Sequence, residues 1–158
     1  MKPLLLKIWM RFPFWLQRIL SPFVRPSFHV FASAVIFNQE KQILLEKLTY
    51  QEIHPWGLPG GNLNVGEEPE DAVVREVKEE LGFDIKTKKL LMTKNANAKN
   101  ILGLFYWCEI TGGCFNPTLE VSEIKYFALD DLPGVRPSDV GFLKKLFDVA
   151  ESFEHELA

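Results

Sequence analysis

Residues 61–83, GNLNVGEEPEDAVVREVKEELGF, constrain this chain more than any other stretch. Pro69 suits the first position of a helix, because its missing N–H would be unpaired there in any case. Glu70 and Asp71 set negative charge against the positive end of the helix dipole, and Gly82 supplies a stop. Together these predict a helix from Pro69 to Leu81. At about 100° per residue, Val73, Val74, Val77 and Leu81 share one apolar side. Glu76, Glu79 and Glu80 share a neighbouring side at spacings i, i+3 and i+4. Like charges at those spacings cost a few tenths of a kcal/mol per pair, so a helix chosen for stability alone would mix in lysines. Three clustered carboxylates, with Glu67 just upstream, are what a hard divalent cation takes as oxygen ligands. The helix by itself leaves a solvated acidic face equally open.

The spacing of the whole stretch adds to this. Gly61, Glu67, Arg75-Glu76, Val77, Glu79-Glu80, Gly82 and Phe83 give nine specified positions within 23 residues. This pattern resembles the Nudix box of the Nudix hydrolases, with Phe83 standing where an aliphatic residue is more usual. With the preceding WGLPGG and the order of strands, the resemblance extends over roughly residues 27–158. It implies an α/β fold, a Nudix-type α/β/α sandwich with a mixed sheet. It also implies that the carbonyl of Gly60 joins Glu76, Glu79 and Glu80 in a metal site for Mg²⁺, with Mn²⁺ able to substitute. Arg75 matches a residue that orients Glu67 in this family.

Composition bounds the rest. A chain of 158 residues, 47% apolar and 25% charged, is sized for one soluble domain with a sizeable core. Charge is unevenly placed. Residues 1–38 hold five basic and no acidic residues, while the remainder holds 13 basic against 21 acidic. No broad basic face for nucleic acid is visible in the body. Two cysteines, Cys108 and Cys114, are too few for a disulfide framework, and a reducing, cytoplasmic compartment is expected.

Residues 1–25 form an N-terminal amphipathic arm, and residues 26–158 the domain. Lys7, Arg11 and Arg18 interrupt the apolar run too often for a membrane span. On one helix, Lys7, Arg11, Arg18 and Arg25 would line up within about 40°, which is the pattern of an interfacial helix on anionic lipid. Pro13 argues for two short helices instead. Packing on its own domain or in a homodimer is favoured over a membrane surface.

Downstream, residues 28–38 and 42–48 read as a hairpin around Asn38 to Lys41. Strands follow at 83–93, 101–110 and 123–129, with Thr111-Gly112-Gly113 as a tight turn leading to a further short strand. A second helix runs from about Ser138, its cap, to Glu154.

Glu120 and Glu123 stand where many relatives carry a glutamate that approaches the metal or activates water. The catalytic set is therefore Glu76, Glu79, Glu80 and Glu120, with the general base either a box carboxylate such as Glu79 or the outside Glu120. His29, His54 and His155 lack ligand spacing, and Trp56 can pack under its loop or stack on a base. The implied reaction is hydrolysis of a small nucleotide-type substrate, a nucleoside diphosphate linked to another group. The alternative is a regulatory Nudix domain that binds a nucleotide without cleaving it. Ala98 stands where ADP-ribose-cleaving relatives often have proline. Lys99, Asn100 and Ile101 stand where dinucleoside polyphosphate-cleaving relatives often have tyrosine. Both absences lower those substrate options without naming another.

Overall fold

The computed structural model describes residues 7–24, 27–96 and 100–157. Ten elements follow in order: α1 (Phe14–Val24), β1 (His29–Ile36), β2 (Ile43–Leu48), β3 (Trp56–Gly57), β4 (Gly60–Asn62), α2 (Pro69–Leu81), β5 (Phe83–Ala96), β6 (Ile101–Gly113), β7 (Val121–Phe127) and α3 (Pro137–Leu157). One sheet is mixed, in the order β4-β1-β6-β5, with β1 parallel to β6 and the outer pairs antiparallel. The other is antiparallel, in the order β3-β2-β7.

Alternation along the central strands builds two cores. Ala32, Ala34 and Ile36 of β1, with Tyr106 and Cys108 of β6, pack toward Ala72, Val73, Val77 and Leu81 of α2. Val35, Phe105 and Trp107 point the other way, onto Leu143, Leu146 and Ala150 of α3. Helices thus cover the central strands on both faces, giving the α/β/α sandwich with its mixed sheet. Each fully buried aliphatic or aromatic side chain in these cores contributes about 1.5–3 kcal/mol.

Helix α2 begins and ends where its sequence says. Pro69 is its first residue, Glu70 and Asp71 occupy its first turn, and Gly82 closes it in the left-handed region at φ 78°. Val74 departs from expectation: it is 37% exposed, and Ala72 takes its place in the core. The apolar stripe is simply rotated, because α2 packs over the small residues Ala32 and Ala34.

Several local expectations are corrected. The turn after β1 exists, with Asn38 Oδ1 accepting from the N–H groups of Glu40 and Gln42 at 3.0 and 2.8 Å. Past the single Phe37–Ile43 bridge, however, β1 and β2 diverge into different sheets rather than pairing as a hairpin. Thr111-Gly112-Gly113 is no turn. It continues β6, with Gly112 and Gly113 opposite Asp84 and Phe83, and among the described residues no strand lies between β6 and β7. Ser138 does not cap α3, which starts one residue earlier at Pro137. Its hydroxyl lies 3.5 Å from Asp139 Oδ1.

Residues 7–9 and α1 are separate helical pieces, and Pro13 initiates the second, its carbonyl accepting from Leu16 and Gln17 N–H at 2.9 and 3.1 Å. Phe14, Trp15 and Ile19 are 80%, 62% and 58% exposed. Arg25 of the expected basic stripe lies outside the described residues. Among the described residues, no helix is long and apolar enough to cross a membrane.

Candidate functional site

Strand β4 brings Gly60 and Gly61 under the acidic face of α2. Gly60 needs glycine for its backbone, and Gly61 leaves room for an acid of α2. Gly60 sits at φ 142°, where a Cβ would overlap the backbone of Ala32, and a Cβ on Gly61 would overlap the carboxyl group of Glu76. The Gly60 N–H donates to Glu80 Oε2 at 3.1 Å. Gly60 also lies opposite Ser33 in the β1–β4 ladder, so the helix carboxylates are tied to the central sheet.

Arg75 organises the other acids. Its Nε and Nη2 donate to the two oxygens of Glu67 at 2.7 and 2.9 Å, the fork-to-fork geometry in which guanidinium and carboxylate fit best. Nη1 reaches Glu76 Oε1 at 2.7 Å and Glu79 Oε2 at 3.2 Å, and Nη2 also bonds the Asn62 carbonyl at 3.1 Å. Arg75 and the Asn64 N–H hold the Glu67 carboxyl down to about 2. Hydrogen bonds to Glu67 and Glu76 push the guanidinium further above its already high range. Glu79 remains mostly exposed.

Glu46 is the residue that sequence reasoning missed. It lies on β2 and is 2% exposed. It is hydrogen-bonded to Glu80, and Glu76 and Glu120 are near enough to act on its charge. Its Oε2 has no hydrogen-bond partner. Burial, then Glu80, pushes its carboxyl up to about 9, so it carries the proton and donates to Glu80. Burial chiefly raises Glu80 as well, to about 7, with the Gly60 N–H working in the opposite direction. Nothing in ILLEKL marks this glutamate as special. The only signal was a charge amid four aliphatic residues on a strand that must be buried on both faces.

The remaining candidates fall on the margin. Glu120 is exposed at the end leading into β7 and lies close enough to act on the charges of Glu46 and Glu80. Glu123 is turned away to an exposed pair with Lys47 at 3.3 Å. His54 Nδ1 is buried without a partner. Trp56 packs edge-on against Phe127 at 4.8 Å and also lines a cavity. Ala98 and Lys99 lie outside the described residues. Ile101 opens β6 and lines that same cavity.

The cavity measures about 780 Å³ and lies on the α3 side of the central strands. Phe31, Phe105, Phe142 and Trp56 give it aromatic walls, Arg136 adds positive charge, and Lys94 and Asp139 line it as an ion pair at 3.3 Å. Ser33 lines it and lies opposite Gly60 in the β1–β4 ladder, while the glutamates of α2 are not among its lining residues. Its size and apolar lining suit a nucleoside-sized ligand.

Among the described residues, no three acidic, histidine or cysteine side chains are already gathered as a closed ligand set. Glu76 and Glu79 are turned to Arg75, and Glu80 to the Gly60 amide. The donors are nevertheless all oxygen, as Mg²⁺ or Mn²⁺ requires. The unpartnered Glu46 Oε2 is a buried acceptor that a cation would satisfy.

A family model for the NUDIX domain matches residues 27–148. The YjhB protein of Bacillus subtilis is 31% identical over 119 residues, covering 70% of this chain and 56% of that protein. An ADP-ribose pyrophosphatase of Methanocaldococcus jannaschii is 29% identical over 108 residues, covering 66% of this chain and 64% of its own length. The chain thus spans less than two thirds of these two relatives. Among solved structures, a UDP-X diphosphatase superposes with a TM-score of 0.75 at 24% identity, covering 88% of this chain and 71% of that one. An ADP-ribose pyrophosphatase from Streptococcus suis superposes with a TM-score of 0.67 at 29% identity, covering 78% and 92%.

Proposed function

This chain belongs to the Nudix family, and on that premise we propose that it hydrolyses the diphosphate linkage of a nucleoside diphosphate bonded to a second group. The observation that carries this reading is the seat of Glu80. Its carboxylate is held 3.1 Å from the Gly60 amide, on the strand that pairs with the cavity-lining Ser33. On this reading a nucleoside in the cavity extends its phosphates past Ser33 and Gly60 toward the acids of α2.

On this reading Glu76, Glu79, Glu80 and the Gly60 carbonyl hold Mg²⁺, or Mn²⁺ in its place. When bound, the cation supplies neutralisation of the diphosphate charge and lowers the pKa of the attacking water. The chain's own residues do the rest. Aromatic walls hold the nucleoside, and Arg136 and the Lys94–Asp139 pair offer polar contacts to it. Arg75 keeps Glu67 and Glu76 in place. A carboxylate takes the water proton as the water oxygen attacks phosphorus. The anhydride P–O bond then breaks, and the leaving phosphate departs with the electron pair. We assign the proton transfer to Glu120. Among the described residues it forms no ion pair, whereas Glu79 is engaged by Arg75. The products are a nucleoside monophosphate and the phosphorylated second group.

Relatives named for ADP-ribose and for UDP derivatives support this substrate class. The test is a panel of ADP-ribose, nucleotide sugars, dinucleotides and nucleoside triphosphates with Mg²⁺ and Mn²⁺. Cation-dependent release of a nucleoside monophosphate is the expected result. Tight binding without turnover of any member would make the chain a regulatory Nudix domain instead.

The catalytic domain is residues 26–158, and the arm takes no part in the chemistry, since every candidate residue lies downstream of it. Its exposed Phe14, Trp15 and Ile19 make it an association surface, toward a second copy or a membrane. The exposed free thiol of Cys114 fits a reducing compartment such as the cytoplasm.

A further inference from the structure

We propose that Glu46 is a carboxylate of the cation site, supplied by the sheet beneath the helix acids. The inference rests on the reading of Glu76, Glu79 and Glu80 as cation-binding, and adds to it a residue outside the 61–83 stretch. Three observations carry it. Glu46 is 2% exposed on β2, although a glutamate buried that deeply is rare without a partner. Its side chain is hydrogen-bonded to Glu80, and Glu76 and Glu120 lie close by. Its Oε2 is buried and has no hydrogen-bond partner. An orphaned buried acceptor normally costs more than it returns. Leucine would fill this volume without that cost.

The surroundings say what the orphan faces. The groups that act on Glu46 are Glu80, Glu120 and Glu76. Among the described residues, no lysine or arginine pairs with it. Arg75, the cation of this neighbourhood, is spent on Glu67, Glu76 and Glu79. Carboxylates meeting without a protein cation between them form a donor set for a hard metal ion. Helix α2 supplies one side of that set and β2 the other. A ligand fixed on a central strand is held more rigidly than one on a helix end or loop.

The test is direct cation binding, read by the free Mn²⁺ electron-spin resonance signal on the full chain. Glu46→Gln keeps an N–H donor for Glu80 but cannot become a carboxylate ligand. Glu46→Leu fills the same volume without polar atoms. Glu109→Gln, an exposed acid on β6 paired with Lys88, controls for general loss of charge. The expected result is an Mn²⁺ dissociation constant raised at least about tenfold in both Glu46 variants and unchanged in Glu109→Gln. Metal-free melting curves establish that the variants fold. Wild-type affinity in either folded Glu46 variant would overturn the proposal and make Glu46 a support for Glu80 only. An equal loss in Glu109→Gln would also overturn it. Absence of Mn²⁺ binding by the wild-type chain would instead refute the underlying reading of the helix acids.

Discussion

Replacing Glu46 by glutamine should stabilise the metal-free protein, and more so as pH rises. Burial beside Glu80 lifts the Glu46 carboxyl from its ordinary 4.5 to about 9. Its folded-state pKa thus lies above its unfolded one. The stability tied to its proton is fully present below pH 4.5 and is lost progressively until pH passes about 9. At pH 7 the folded chain still holds a proton that the unfolded chain has released. At about 1.4 kcal/mol per pH unit, the 2.5 units above 4.5 cost roughly 3 kcal/mol. Glutamine mimics the protonated acid. Its NH₂ replaces the carboxyl O–H as donor to Glu80, and nothing titrates. The variant should therefore escape the cost and melt about 6–12 °C higher at pH 7 in chelator, for a chain of this size. The assay is thermal unfolding of both proteins in EDTA from pH 5 to pH 9. The gap should shrink toward zero near pH 5 and widen upward. Parallel curves over that range would refute the reasoning, because the Glu46 proton would then not be linked to folding.

Four further outcomes follow from the same geometry. Gly61→Ala places a methyl group in the space of the Glu76 carboxyl; Mg²⁺-dependent turnover should fall at least about tenfold, and wild-type turnover would show that Glu76 need not sit there. Arg75→Ala should lower the melting temperature and Mg²⁺ affinity more than Lys78→Ala, because Lys78 makes one exposed pair with Asp84 at 2.7 Å, worth about 0–1 kcal/mol; equal effects would reduce Arg75 to a surface charge. Leu146→Ala, at a fully buried position on α3, should cost about 2.7–5 kcal/mol in urea unfolding, and a loss under 1 kcal/mol would mean the α3 core is looser than described. Deleting residues 1–25 should leave turnover of a small soluble substrate within about twofold while changing association. Loss of an oligomer in light scattering points to a second copy, and loss of salt-sensitive vesicle binding points to anionic lipid; neither change would refute an association role for the arm.

What the chain announces in one dimension is what depends on local periodicity. Helix α2 was legible from Pro69 to Leu81 because its cap, its charges and its stop all act within a turn. The pair of Arg75 and Glu79 is the i, i+4 neighbourhood that any helix brings together. The α/β class followed from strands interleaved with two helices, and the α/β/α sandwich from the resemblance carried by residues 61–83. Pairings between distant segments were not legible. Residues 28–48 read as a hairpin because only neighbours in sequence could be weighed, yet β1 finds β4 and β6 while β2 finds β3 and β7. Gly112 and Gly113 read as a turn because glycine usually breaks a strand, but β5 continues opposite them and keeps the ladder going. Glu46 was invisible for the same reason. Its meaning comes from Glu80, 34 positions away, and only the packing of α2 on the sheet brings the two together.

The measurement that bears most directly on the account is turnover of Glu80→Gln at saturating Mg²⁺, on whichever member of the substrate panel the wild-type chain cleaves. Glu80 links the Gly60 amide, Glu46 and the acidic face of α2. The account predicts a loss of nucleoside monophosphate release by at least about two orders of magnitude, in a variant whose metal-free melting temperature is no lower than wild type. Wild-type turnover in Glu80→Gln under those conditions would contradict it.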